Sequence, residues 1–262
     1  MTSVGVLGCG WLGLPLVERL REAGYTVHTS TTRPERQRAL AARGIEAAIV
    51  RLPLAADAVA LDSAIWTCDT LVLNVPPGGR SAEHYASYPE LIRSAVEHYS
   101  PSTPGRIVHC SSTGIFEGCK GQVRTDTPVR LNLPKVQGLA QAEEYVRRSA
   151  HDWAIVRLGG LYGGERHPGR YLAGRRDVAE GDAPINLISR KRVIDYLVRL
   201  CGQALRQQVY HAVDPYHPSR REFYRAFAKS RGLPPPQFLP GKGDDRLVIP
   251  SPMPDEGDRK RP

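Results

Sequence analysis

Apolar positions recur with two periods along the first 160 residues, and the period switches back and forth. Residues 4–7 (Val-Gly-Val-Leu) form a short apolar run of the kind found in a buried strand. From 12 to 23 the spacing changes to three and four, with Leu12, Leu16 and Leu20 on one face, and Gly24 closes the predicted helix. The same alternation continues with strands predicted at 25–31, 47–52, 70–75, 106–110 and 153–158. Helices are predicted at 34–44, 56–66, 83–99 and 134–149, with Pro34 and Pro134 at two of the starts. Strand-helix alternation of this kind specifies parallel βαβ units. Beyond 158 the pattern is less regular: 159–181 is rich in glycine and arginine, followed by a strand at 185–188, a helix at 193–205, a strand at 209–213 and a helix at 220–231. The expected fold class is therefore α/β, a Rossmann-type doubly wound parallel sheet with a small C-terminal α/β substrate-binding portion. The expected division is 1–160 for the nucleotide, 161–240 for the substrate, and a proline- and charge-rich extended or disordered tail over 241–262.

The junction of the first strand and helix reads Gly8-Cys9-Gly10-Trp11-Leu12-Gly13, a G-x-G-x-x-G where its mechanism requires it. Gly8 permits the tight turn, Gly10 lets the backbone approach a pyrophosphate, and Gly13 brings helix and strand together, while N–H groups at the helix start, those of Trp11 and Leu12 included, face the negative charge. Val75 and Pro76, at the end of the fourth strand, complete the predicted cofactor contacts. The competing reading is a purely structural glycine turn. NAD-binding proteins usually end the second strand with a carboxylate for the adenine ribose. Here the strand ends His28-Thr29-Ser30-Thr31-Thr32-Arg33. Arg33, helped by hydroxyls such as that of Thr31, suits a 2′-phosphate, so NADP(H) is the expected cofactor; alternatively, Arg33 merely precedes a helix-opening proline.

Composition narrows the partners. A chain of 262 residues with 41% hydrophobic content can bury a sizeable core. No apolar run reaches the ~18 residues of a membrane span, and the start lacks the pattern of a secretion signal, so a cytoplasmic protein with no membrane partner is expected. Five cysteines, odd in number and without Cys-x-x-Cys, indicate neither a disulfide framework nor a metal site. The net charge of +9 is mostly arginine: of 36 basic residues only six are lysines (Lys120, Lys135, Lys191, Lys229, Lys242, Lys260). No helix concentrates basic residues with interleaved aromatics, so nucleic acid is not expected. The densest positive region runs through Arg166-His167-Pro168-Gly169-Arg170, Arg175-Arg176 and Arg190-Lys191-Arg192. Arginine forks in loops suit carboxylate or phosphate, pointing to a small anionic metabolite; the cofactor phosphates or a solvated surface are the competing explanations. The oligomeric state is open, with a homodimer among the options.

Several segments jointly resemble the short-chain dehydrogenase/reductase superfamily, its extended epimerase-like branch and the atypical YeeZ-type proteins within it. They are the glycine loop, His109-Cys-Ser-Ser-Thr-Gly-Ile-Phe-Glu117, the stretch 157–174, Ile185-Asn-Leu-Ile188, and His217-Pro-Ser-Arg220 with Phe223-Tyr224. The resemblance places Ser112 where the family hydrogen-bonds a reacting carbonyl, with Ser111 and Thr113 as competing assignments, and a turn-closing hydroxyl as the structural alternative. It also exposes a departure. The family's Tyr-x-x-x-Lys relay, in which the ammonium lowers the phenol's pKa, is absent: the residues four before the six lysines are Phe116, Leu131, Leu187, Arg225, Phe238 and Glu256. Lys135 stands about where the tyrosine belongs and Leu139 about where the lysine belongs. Substitute acids are Glu117, Lys135, Tyr162 and His167. The resemblance implies that the 159–181 and 185–188 segments border the substrate, which makes His167, Arg170 and Asn186 candidate substrate contacts. The expected function is an NADP-dependent oxidoreductase that reduces a C=O or C=N group without the usual relay. The alternatives are an NAD(P)-dependent epimerase/dehydratase, or a non-catalytic NADP-binding sensor or accessory protein.

Overall fold

The computed structural model describes residues 2–55, 59–102, 104–241, 243 and 245–254. Seven strands form one parallel sheet: β1 (Ser3–Leu7), β2 (Thr26–Thr31), β3 (Ala47–Ile49), β4 (Thr70–Leu73), β5 (Arg106–Ser112), β7 (Asp152–Leu158) and β10 (Gln208–Ala212), in the order β10-β7-β5-β4-β1-β2-β3. This is the doubly wound α/β arrangement expected. The chain winds one way from β1 to β3 and the other way from β4 onward, so a crevice opens between β1 and β4 at their C-terminal ends, where ligands of such sheets bind.

Two apolar layers cover the sheet. On one face α1 (Gly13–Glu22) buries Leu16, Val17 and Leu20 with Leu40 of α2 (Pro34–Ala41), and with Val193, Leu197 and Leu200 of α6 (Arg190–Cys201). On the other, α3 (Ala82–His98) and α4 (Pro134–Arg147) bury Tyr88, Ile92, Val136, Leu139 and Val146. The helix expected over 56–66 is instead a pair of 3₁₀ turns, Val59–Asp62 and Ala64–Trp66, with 56–58 outside the described residues. Ser63 caps the second turn, and the Trp66 indole donates to Ala60 O at 2.7 Å, fixing a tight double turn that a continuous helix would not allow.

The boundary drawn at residue 160 divides the chain differently from the structure. Ser189 accepts from Arg192 N and starts α6 three residues earlier than its apolar stripe suggested; α6 then packs on α1, and β10 joins β7 as a seventh strand. Residues 190–212 therefore return to the nucleotide-binding core. The outer lobe is smaller: β8 (Gly160–Tyr162) pairs with β9 (Leu187–Ser189), and α5 (Gly169–Leu172) lies near α7 (Arg220–Ser230), whose start carries a Ser219/Glu222 capping box.

The segment expected as a tail is extended and fastened along the body over its described residues. In β11, Leu247–Val248 pairs in parallel with β6 (Gln122–Val123), and Val248 is fully buried. Ser251 N donates to His211 O, and Tyr196 OH donates to Pro252 O. Residues 255–262 lie outside the described residues. Among the described residues no helix is long and apolar enough to cross a membrane.

Two fully buried histidines add a pH dependence. Burial pushes the imidazole pKa of His109, inside β5, and of His211, inside β10, down to about 4. An unfolded histidine titrates near ~6.5, so the depressed folded values give stability that is complete above that pH and declines as pH falls toward about 4. The melting temperature is expected to fall between pH 7 and 5, and His109→Met is expected to make the fall shallower. An unchanged pH profile in that variant would remove His109 from this role.

Candidate active site

The glycine loop is built by two side chains that pattern reading did not single out as contacts. Ser30 Oγ, on β2, accepts from Gly8 N at 3.1 Å, and Asn74 Nδ2, at the end of β4, donates to Gly8 O at 2.9 Å. The loop is thereby held across the crevice from both sides. Gly8 has φ +103°, and a Cβ on Gly13 would stand 2.1 Å from Gly8 O, so neither position tolerates a side chain. A Cβ on Gly10 would meet nothing within 4 Å. The space over Gly10, at the N-terminus of α1, is open to a ligand, and the N–H groups of Trp11 and Leu12 precede the helical ladder there. Val75 and Pro76 lie just beyond β4, with Val75 O accepting from the Tyr88 hydroxyl at 3.2 Å.

The ribose end is assembled differently from the expectation. Thr31 is buried and its Oγ1 accepts from Arg33 N at 3.4 Å, while Thr29 and Ser30 are committed to Val6 O and Gly8 N. Thr31 Oγ1 is thus engaged as an acceptor in the turn that leads to α2. Arg33 is largely exposed and only loosely paired with Glu35 at 3.7 Å. Arg36, one turn on in α2, lies close enough to Cys9 to oppose the upward push that burial gives the thiol pKa. The i,i+3 spacing of Arg33 and Arg36 was the signal for this second cation.

A cavity of about 760 Å³ opens beside the C-terminal end of β5. Ser112, the last residue of β5, lines it. Its Oγ accepts from Gly114 N at 3.0 Å, which directs the hydroxyl and leaves its proton available. Ser111 is excluded from that role, because its hydroxyl donates to buried Glu143 at 2.7 Å. Thr113 borders the cavity, yet its Oγ1 donates to Leu158 O at 3.2 Å and serves the backbone. Lys135, in the first turn of α4, reaches back under Gly114 and forms a 2.8 Å ion pair with Glu117; both line the cavity. The structure thus brings Ser112, Lys135 and Glu117 together.

Tyr162, His167 and Arg170 are not at this cavity. The Tyr162 hydroxyl donates to Asp214 Oδ2 at 3.2 Å, and burial raises its pKa. His167 stacks on Phe227 at 3.8 Å and on Phe223 at 5.3 Å, and its Nδ1 accepts from Gly169 N. Both hold the outer lobe together, and Arg170 lies exposed on α5 away from the cavity wall. Asn186 borders the cavity, but its amide is used on the extended segment: Nδ2 donates to Arg246 O and Oδ1 accepts from Val248 N, at 2.9 and 2.8 Å. Arg80, Tyr85, Arg220 and Arg246 line the cavity in their place. Arg220 lay within the His217-Pro-Ser-Arg segment already noted, whereas nothing local to Tyr85 or Arg246 marked them.

A strained glycine turn feeding a helix, at the crevice of a doubly wound sheet, defines a dinucleotide-binding Rossmann protein. The chain belongs to the NAD(P)H-binding family, whose model matches residues 8–204. It is also a homologue of Protein YeeZ of Escherichia coli strain K12, at 33% identity over 244 residues covering 91% of this chain and 87% of that protein. Two solved structures share the fold. One is a short-chain dehydrogenase/reductase superfamily protein from Agrobacterium tumefaciens with bound NAD, at TM-score 0.74 and 18% identity, covering 95% of this chain and 89% of that one. The other is the UDP-glucuronic acid 4-epimerase from Bacillus cereus in complex with NAD, at TM-score 0.74 and 14% identity, covering 98% and 96%.

Proposed function

We propose that the protein is an NADP-dependent reductase that delivers hydride to a C=O or C=N group of a small anionic metabolite, with Ser112 and Lys135 doing the work of the missing phenol-lysine relay. The observation that carries this reading is the convergence of Ser112 Oγ and the Lys135-Glu117 pair on one cavity. The reduced nicotinamide supplies the hydride when bound. Ser112 donates a hydrogen bond to the substrate oxygen or nitrogen as negative charge develops there. The carbon-heteroatom π pair moves onto that atom as the carbon is reduced, and the Lys135 ammonium transfers a proton to it for a carbonyl; an imine arriving protonated needs none. Lys135 recovers its proton from water, which the partial exposure of the ion pair admits. Glu117 accepts from the Lys135 ammonium at 2.8 Å and aims it. Arg80 and Arg246 supply positive charge for the substrate's anionic group, while Arg220 is paired with Glu180 on the same wall at 2.9 Å.

The test is NADPH oxidation across a panel of carboxylate- and phosphate-bearing carbonyl and imine compounds. Ser112→Ala is expected to lower kcat on a turned-over compound about 10²–10³-fold. Lys135→Met is expected to lower it about 10²-fold or more for a carbonyl, whereas Tyr85→Phe is expected to leave it within about threefold. NADPH affinity should hold in all three. Turnover surviving both Ser112→Ala and Lys135→Met would overturn the reading. Cofactor preference has its own test: Arg33→Ala is expected to weaken NADPH binding about tenfold while sparing NADH, in line with the loss of a charge-assisted phosphate contact, and equal losses for both would count against the 2′-phosphate role.

A second reading, epimerisation or dehydration of a nucleotide-linked sugar, is favoured by the cavity's size and by the Tyr85 phenol on its wall. It requires turnover of a nucleotide sugar without net NADPH consumption, with loss of that turnover in Tyr85→Phe.

A further inference from the structure

Trp11, on the glycine loop, is contacted by two guanidiniums, one from the start of α6 and one from the outer lobe. The guanidinium carbon of Arg190 stands 4.6 Å from the indole centroid and that of Arg166 stands 5.0 Å from it. Arg190 Nη1 also donates to the Trp11 carbonyl at 3.2 Å. The two arginines come from different places: Arg190 opens α6, and Arg166 closes a tight turn in which Gly163 and Arg166 exchange both backbone hydrogen bonds. Gly163 and Gly164 adopt positive φ in that turn, and a Cβ on Gly164 would stand 3.1 Å from Arg190 Nη2, so the turn is shaped to let this guanidinium lie flat.

Neither arginine has a carboxylate partner among the described residues, unlike Arg192, which pairs with Asp214 at 2.7 Å. Two cations on one ring repel, and the positive end of α1 adds to the same field. Cation-π contact with indole offsets part of that cost and fixes where the guanidiniums sit, without neutralising them. The arrangement calls for a ligand carrying negative charge at the glycine loop.

We infer that Arg166 and Arg190 form a two-guanidinium clamp, mounted on Trp11, that closes over the diphosphate of the nicotinamide dinucleotide. The glycine loop supplies backbone N–H groups, and the clamp supplies charge-assisted donors from the start of α6 and from the outer lobe. Its contribution is common to NADH and NADPH, because both carry the same diphosphate, and is separate from that of Arg33 at the ribose. The inference rests on dinucleotide occupancy of the loop, not on the hydride-transfer reading, whose failure would leave wild-type dinucleotide binding intact.

The experiment is calorimetric titration of the full chain with NADPH, NADH and adenosine 2′-monophosphate, which lacks the diphosphate. Arg190→Ala and Arg166→Ala are each expected to weaken NADH and NADPH by the same factor, about tenfold, to leave adenosine 2′-monophosphate unaffected, and to flatten the salt dependence of dinucleotide binding. Arg190→Lys, which keeps the charge and the packing stem, guards against a folding defect and is expected to fall between wild type and Arg190→Ala. Dinucleotide affinities unchanged in the alanine variants, or losses shared by adenosine 2′-monophosphate, would overturn the clamp.

Discussion

Glu143→Ala is expected to lower the unfolding free energy by about 3–5 kcal/mol, the range for breaking a buried ion pair from one side. Glu143 lies wholly buried on α4 and gathers four donors: Ser111 Oγ at 2.7 Å, Arg157 Nε at 3.0 Å, Arg157 Nη2 at 2.8 Å and Arg147 Nη2 at 2.9 Å. Arg157, on β7, is itself buried, lies 5.0 Å from the Phe116 ring and donates to Thr125 O. Removing the carboxylate strands that guanidinium in an apolar wall. Removing both members with Glu143→Leu and Arg157→Met should recover much of the loss, since matched apolar replacement of a buried pair is often neutral. Urea denaturation measures this, and a Glu143→Ala loss below about 1 kcal/mol would mean the network contributes little.

The sign with pH follows from the same contacts. Burial raises the Glu143 carboxyl pKa, but the Arg157 guanidinium, Ser111 and Arg147 outweigh it, and the net direction is downward. A depressed folded pKa contributes stability that is complete above the unfolded value, ~4.3, and is lost as pH falls through the folded value. The wild type should therefore lose stability in acid in two stages, first from the histidines below ~6.5 and then from Glu143 below ~4.3. Glu143→Ala should show a smaller second stage, since Asp69, also held low by its hydrogen bonds from Ser3, remains.

The other large effect separates folding from binding. Gly10→Val is expected to leave the melting temperature nearly unchanged, because its side chain enters open space, and to weaken NADH and NADPH about 10²-fold or more by filling the cradle. Gly13→Ala, three residues on, should lose both stability and binding, because its Cβ meets Gly8 O at 2.1 Å. Calorimetry with either dinucleotide, alongside a thermal melt, distinguishes the two. Undiminished affinity in Gly10→Val would mean that the diphosphate does not lie over that residue.

The sheet and the loop were legible because their signals are local. A strand, a turn requiring glycine and a helix start follow one another within about ten residues, and each leaves its own pattern. The position of Ser112 at the end of β5, beside the cavity, was legible in the same way. The rest depended on where other side chains were already engaged. Thr31 and Asn186 carry the right groups in the right segments, yet their polar atoms serve neighbouring backbone. Tyr162 and His167 became bound up in the outer lobe's aromatic packing. Arg246 and Tyr85 reach the cavity only through long-range docking of their elements, which no periodicity encodes. The same docking returned α6 and β10 to the core, because an amphipathic stripe does not say which neighbour it will cover.

The extended segment fastened by Asn186 has a consequence for synthesis. Arg246 lines the cavity and β11 pairs with β6, so the cavity takes residues from both sides of a separation of more than one hundred positions. A ribosome producing this chain releases β1, α1 and β2, with the whole glycine loop, long before residue 246 leaves the exit tunnel. The nucleotide cradle can thus form while the pocket still lacks a wall. A nascent chain stalled near residue 230 already holds the glycine loop and still lacks the cavity's Arg246 wall.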